Sequence, residues 1–182
     1  MSKVYVFLAD GTEEVEALTA IDLLRRAKVE VVTVSIMGRK HIISSHQIGI
    51  AADEVFGASD YMDGDMIVLP GGLPGTTYLK EHEELRKVLL SYKEAGKYLA
   101  AICAAPTVLG SNGMLEGKQA VCYPGFEEEL IGATVVAQGV VTDGQFITSK
   151  GLGTAIDFAL ELVRVLVSAE CANQIAKAIQ YK

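Results

Sequence analysis

Three stretches of the 182-residue chain gather residue types that covalent chemistry uses. In AAICAAPTVLG, residues 100–110, one thiol, Cys103, closes an apolar run and stands three residues before Pro106. Proline suits the first turn of a helix, so Cys103 is placed where a strand bends into one. A sharp bend of that kind exposes its corner side chain while the following N–H groups face outward, the logic of a nucleophile elbow. A helix start also favours thiolate, the reactive form of cysteine, through its partial positive charge. Cysteine is equally a small apolar filler of cores. The place of Cys103 at a strand end favours the nucleophile.

ADGTEEVE, residues 9–16, supplies carboxylates. Glu13 and Glu14 are accounted for by a helix dipole, which negative charge in the first turns complements. Glu16 is expected to border the apolar stripe of that helix and to face inward or toward a crevice. A carboxyl desolvated beside a thiolate would keep its proton and donate a hydrogen bond to sulfur. In PGGLPG, residues 70–75, the glycines mark a turn with unusual backbone angles. If that turn abuts Cys103, the Gly72 and Ala104 N–H groups would form an oxyanion hole for an adduct at sulfur. A fourth stretch, SKGLGTAIDFAL, carries Gly-x-Gly between strand and helix. It lacks the third glycine and a following strand with a ribose-binding acid, so dinucleotide binding is not expected.

These residues need elements to hold them. KVYVFL (3–8), VEVVTVSI (29–36), MIVLP (66–70) and YLAAIC (98–103) read as buried strands. TEEVEALTAIDLLRRA (12–27), with Val15, Leu18, Ile21 and Leu24 on a helical repeat, and HEELRKVLLSYKEAG (82–96), closed by Gly96, read as helices between them. HIISSHQIGIAADEVF suggests a small hairpin excursion. QAVCY (119–123) and the cluster TVVA, GVVTD and QFITS read as short strands, with a tight turn at Asp143-Gly144. Helices over 153–167 and 170–180 finish the chain. Alternation of this kind predicts one α/β domain over 1–182, a three-layer sandwich with a mostly parallel sheet between helices. Ligands in such folds bind at the carboxyl ends of strands, where all three chemical stretches fall.

Composition narrows the function. Half of the residues are hydrophobic, a fifth are charged, and the formal net charge is -7. An acidic chain is a poor nonspecific ligand for nucleic acid or anionic lipid. No apolar run reaches the roughly 18 residues of a membrane span, and the opening MSKVYVFLADG lacks the long apolar stretch of a signal peptide. A cytoplasmic location is expected. Cys103, Cys122 and Cys171 form neither an even disulfide framework nor a CxxC metal pair, so reduced thiols and no structural zinc are expected.

VFLADGTEEVEAL, IVLPGG, AAICAAPTVLG and TSKGLGTAIDFAL, in this order and spacing, resemble the ThiJ/PfpI superfamily, in the branch of the parkinsonism-associated protein deglycase and bacterial YajL. The resemblance covers nearly the whole chain. It implies a flavodoxin-like sandwich and a homodimer, with Cys103 as the reactive cysteine, Glu16 as its protonated partner, and Gly72 and Ala104 as backbone donors. Departures from the family pattern also inform. Where the protease-like branch has a histidine directly after the cysteine, this chain has Ala104, which disfavours a cysteine protease. Where the deglycase branch often places a histidine near the thiol, this chain has Tyr123, able to hydrogen-bond to a substrate but a poor base at neutral pH. His46 and Lys150 stand where a close relative has arginines. His46 is a candidate pocket residue, from its own chain or from a dimer partner, or else a surface residue of the hairpin. His41 and His82 read as exposed polar positions.

By this resemblance the chain would be a cofactor-independent, metal-free glyoxalase or deglycase, acting on methylglyoxal and related α-oxoaldehydes or on their early adducts with protein. The alternative is an oxidative-stress sensor or redox-regulated chaperone using an oxidisable Cys103. A thiamine-related role, suggested by the older family name, finds no readable phosphate or thiazole site.

Overall fold

The structure is a computed structural model that describes residues 2–181. In chain order the elements are β1 (Lys3–Leu8), α1 (Glu14–Arg26), β2 (Glu30–Ser35), β3 (His41–Ile43), β4 (Gly49–Ala51), β5 (Glu54–Val55) and β6 (Met66–Leu69). There follow α2 (Gly75–Glu81), α3 (Glu83–Glu94), β7 (Tyr98–Ile102), α4 (Pro106–Gly110), β8 (Gln119–Ala120) and β9 (Thr134–Val135). The chain ends with β10 (Val140–Asp143), β11 (Phe146–Ser149), α5 (Ala155–Leu166) and α6 (Ala169–Ala178).

Seven strands form the main sheet in the order β10-β11-β7-β6-β1-β2-β5, with β10 antiparallel to β11 and every other pair parallel. Its inner part, β2-β1-β6-β7-β11, is the flavodoxin-like order, and the strand order reverses between β1 and β6. The central strands are continuous apolar runs because helices cover both faces. Alternation along β1 divides the core. Val4, Val6 and Leu8 pack with residues of α1, α5 and α6, whereas Tyr5 and Phe7 pack with Leu79, Leu85, Leu89, Tyr92 and Val108 from α2, α3 and α4.

Several elements depart from the sequence expectation. In α1 the buried face carries Ala17, Ala20, Ile21 and Leu24, while Val15 and Leu18 of the expected stripe are 43% and 44% exposed. The helix lies against α5, and two alanines on the inner face let the backbones approach. The excursion after β2 is only partly a hairpin: β3 and β4 pair antiparallel, but β5 returns to the main sheet beside β2. The strand expected over 119–123 stops at Ala120 because the next donors are taken elsewhere: Val121 N–H by the Thr148 hydroxyl at 3.0 Å and Tyr123 N–H by the Cys103 carbonyl at 2.7 Å. His82 is no idle surface residue. Its Nδ1 accepts from Leu85 N–H at 3.1 Å, capping α3, and its ring packs on Phe56. No helix among the described residues is long and apolar enough to cross a membrane.

Candidate active site

The strand-order reversal between β1 and β6 leaves a crevice at the carboxyl ends of the strands. Segments 9–16 after β1, 70–74 after β6 and 103–105 after β7 converge there. Cys103 occupies the corner between β7 and α4 with φ of 65°, a left-handed conformation costly for a residue with a Cβ. Three backbone hydrogen bonds hold it: Cys103 N–H to Ser149 O at 2.9 Å, Tyr123 N–H to Cys103 O at 2.7 Å, and Ala105 N–H to Ile102 O at 3.0 Å. The expected elbow is therefore present, with Pro106 opening α4.

Glu16 is 1% exposed and reaches the sulfur from α1. It shares the inner face of the helix with Ala20 and Leu23, four and seven residues on, so its carboxyl enters the crevice instead of water. The Glu13 carboxylate caps this helix, accepting from Glu16 N–H at 2.7 Å. Glu16 Oε2 accepts from Gly71 N–H at 3.0 Å, and the Leu152 N–H also hydrogen-bonds to the carboxyl. The Gly-x-Gly turn at 151–153 thus serves the carboxyl. Sequence reasoning missed Gly71, whose role is steric: a Cβ there would sit 2.5 Å from Cys103 Cβ and 2.7 Å from Glu16 Oε2. Gly72, at φ of 92°, has its own missing Cβ filled by the Gly11 carbonyl and the Glu13 amide.

Burial is the largest influence on both ionisable groups. It raises the Glu16 carboxyl to about 7, opposed by the hydrogen bonds from Cys103, Gly71 and Leu152. The expected neutral acid is therefore available near neutral pH. The thiolate expected at Cys103 is opposed by its surroundings. Burial, then the charge and hydrogen bonding of Glu16, push the Cys103 thiol up to about 12, while the Gly72 and Ala104 N–H groups pull it down. At five residues, α4 is too short for a strong dipole to reverse this. The two groups form one proton-sharing unit: an ionised Glu16 holds the proton on sulfur, and a protonated Glu16 removes the opposing charge and offers a donor instead.

The sulfur borders an apolar cavity of about 190 Å³ lined by Gly72, Leu73, Cys103, Ala104, Tyr123 and Phe126. Tyr123 also borders a second cavity of about 310 Å³ with Pro124, Lys150 and the 151–154 turn. Glu16, Gly72, Ala104 and Tyr123 thus meet at Cys103. His46 does not line this cavity; its exposed ring places Nδ1 2.8 Å from Glu14 Oε1. Glu13, Glu14 and His46 bring one ligand atom each within 4.8 Å of one another, the described group that could hold a metal. Its carboxylates already have partners: Glu13 caps α1, and Glu14 meets His46 and the Ser45 hydroxyl. Cys122 is buried beside the Cys103 turn and is a packing residue.

The model of the DJ-1/PfpI family matches residues 2–165. The chain is 39% identical to Protein dj-1beta of Drosophila melanogaster over 178 residues, covering 96% of this chain and 94% of that protein. It is 40% identical to Protein DJ-1 homolog B of Arabidopsis thaliana over 178 residues, there covering 96% of this chain but only 40% of the longer relative. An isonitrile hydratase of Pseudomonas putida is 34% identical over 119 residues, 64% of this chain and 52% of that enzyme. Among solved structures, oxidized DJ-1 of Toxoplasma gondii superposes with a TM-score of 0.96 at 37% identity, covering 100% of this chain and 99% of that one.

Proposed function

The chain belongs to the DJ-1/PfpI family, which includes enzymes, and from that premise we propose that it is a cofactor-independent glyoxalase acting on small α-oxoaldehydes. The observation that carries this reading is the buried Glu16 carboxyl hydrogen-bonded to Cys103 beneath two main-chain N–H donors. The reaction needs a thiol that ionises on demand and a group that moves a proton between adjacent carbons. Glu16, raised to about 7, exists in both protonation states near neutral pH and suits both tasks.

The carboxylate form of Glu16 takes the thiol proton as sulfur bonds to the aldehyde carbon of methylglyoxal, and the adduct oxygen lies against the Gly72 and Ala104 amides. That oxygen is then protonated, giving a hemithioacetal. Removal of the proton from the former aldehyde carbon and its return to the neighbouring carbon pass through an enediol and leave a lactate thioester. Water cleaves the thioester, releasing lactate and restoring the thiol. The former aldehyde carbon is oxidised and the ketone carbon reduced, so no external electron acceptor is needed. Release of early adducts from protein cysteine, lysine or arginine would use the same thiol on a bound substrate. Purified protein should convert methylglyoxal to lactate and lose the activity in both Cys103→Ser and Glu16→Gln; full turnover in either variant refutes the assignment.

A second reading, as a redox sensor or redox-regulated chaperone, is favoured by the same donors, since the Gly72 and Ala104 amides and a protonated Glu16 would also hydrogen-bond an oxidised sulfur. The solved Toxoplasma gondii relative is itself an oxidized form. Absence of turnover combined with peroxide-dependent partner binding would select this reading. We also infer a homodimer. The exposed apolar residues Val15 and Leu18 of α1 lie on one helix face, and Ile43 and Ile48 belong to the hairpin tied to the same end of the helix. In sedimentation, a Leu18→Glu chain should then be a monomer.

A further inference from the structure

Resting on the glyoxalase reading, we propose that this chain selects α-oxoaldehydes bearing a flat aromatic substituent, which would lie in the apolar cavity formed by Leu73, Tyr123 and Phe126 beside Cys103. The cavity measures about 190 Å³. An apolar cavity of about 150 Å³ accommodates benzene, so a phenyl ring fits and a methyl group leaves most of the space unfilled. Unfilled apolar space forfeits dispersion contacts that a larger substituent would make.

Part of the wall is aromatic, and its backbone is held by hydrogen bonds. The Tyr123 and Phe126 ring centroids lie 6.4 Å apart at 68° between planes, an edge-on pair. Their backbones close one turn, Phe126 N–H donating to Tyr123 O at 3.2 Å, and the turn is tied to the nucleophile through Tyr123 N–H and Cys103 O. The Tyr123 ring also lies against Gly151, where a Cβ would meet Tyr123 Cδ2 at 3.3 Å and Glu16 Oε1 at 3.9 Å. Gly151 therefore lies beside both the Tyr123 ring and the proton-carrying carboxyl. Leu73 faces the same space and is half exposed. None of the residues lining this cavity carries a charge; Lys150 stands in the neighbouring cavity beyond Tyr123. The lining chemistry thus discriminates by apolar area and ring stacking.

The reaction with phenylglyoxal balances as it does with methylglyoxal. Sulfur bonds to the aldehyde carbon, one proton moves from that carbon to the ketone carbon, and water releases mandelate and the thiol. A pocket difference of this size supports a preference of about tenfold or more in kcat/KM for phenylglyoxal over methylglyoxal. Tyr123→Ala should bring the ratio toward one, while Tyr123→Phe, which keeps the ring, should retain it. Tyr123 is half exposed, so neither change threatens folding.

A second measurement needs no turnover. Alkylation of Cys103 by 2-chloroacetophenone and by chloroacetone, each normalised to its rate with free glutathione, should favour the aryl reagent by about tenfold, and Tyr123→Ala should erase the difference. Methylglyoxal turnover with no aryl preference in either measurement overturns the pocket assignment and leaves the glyoxalase reading standing. Aryl-selective alkylation without turnover of either aldehyde sustains the aromatic pocket and removes the glyoxalase reading.

Discussion

Replacing Glu16 by glutamine should change how stability depends on pH, because the fold raises this carboxyl from an ordinary 4.5 to about 7. The folded chain therefore binds the proton more tightly than the unfolded chain does. A group of this kind contributes stability that is fully present below about 4.5 and is lost as pH rises through about 7. The difference of about 2.5 pH units corresponds to about 3 kcal/mol. Glutamine has nearly the same shape and no proton to lose. Urea denaturation of both proteins from pH 4.5 to 8.5 isolates the effect, since the titrating groups other than Cys103 are common to the two and cancel in the difference, and Cys103 ionises only toward the upper end of that range. The wild type should be the more favoured of the pair at low pH, where its carboxyl can donate to sulfur. Glu16→Gln should then gain about 3 kcal/mol relative to the wild type by pH 8. A difference that stays constant across the range would refute the placement of this carboxyl in a desolvated site.

The same electrostatics make three further predictions together with the packing. Alkylation of Cys103 by iodoacetamide should keep rising to pH 9 and beyond, and Glu16→Gln should accelerate it only about twofold at pH 7 but about tenfold or more at pH 8.5, where wild-type Glu16 carries its charge; a plateau below pH 7 in the wild type contradicts the raised thiol. Gly71→Ala should lower stability by about 1–3 kcal/mol and suppress Cys103 alkylation, because the new methyl would occupy the space between Cys103 and Glu16; unchanged melting and reactivity would show that the turn can move aside. His82→Ala should cost about 1 kcal/mol in denaturant titration through loss of the α3 cap, with no effect on Cys103 reactivity.

The parallel α/β architecture was legible because its signals are local. Buried strands of a parallel sheet are continuous apolar runs, and KVYVFL, MIVLP and YLAAIC all became central strands within a residue of their expected ends. Pro106 after an apolar run marked the cysteine corner for the same reason: a ring that fixes φ and lacks an N–H leaves few positions open to it. The seven-residue helix α2 escaped notice, since GTTYLKE is short and carries two β-branched threonines near its start. The buried face of α1 was misplaced by the usual weighting of large apolar side chains over alanine, and it was α5, far along the chain, that selected Ala17 and Ala20 as the inner face.

Sequence by itself determined which residue types could meet, and in what order of strands and turns: a thiol, a carboxyl and two main-chain amides, each at the end of a strand or the start of a helix. Tertiary structure decided their protonation and their surroundings. Desolvation depends on atoms brought from every segment of the chain, so no local pattern announces that Cys103 is held as a thiol while Glu16 titrates near neutrality. The same holds for Gly71, whose need for a bare Cα exists only because the Cys103 and Glu16 side chains and the Ile102 carbonyl press against it.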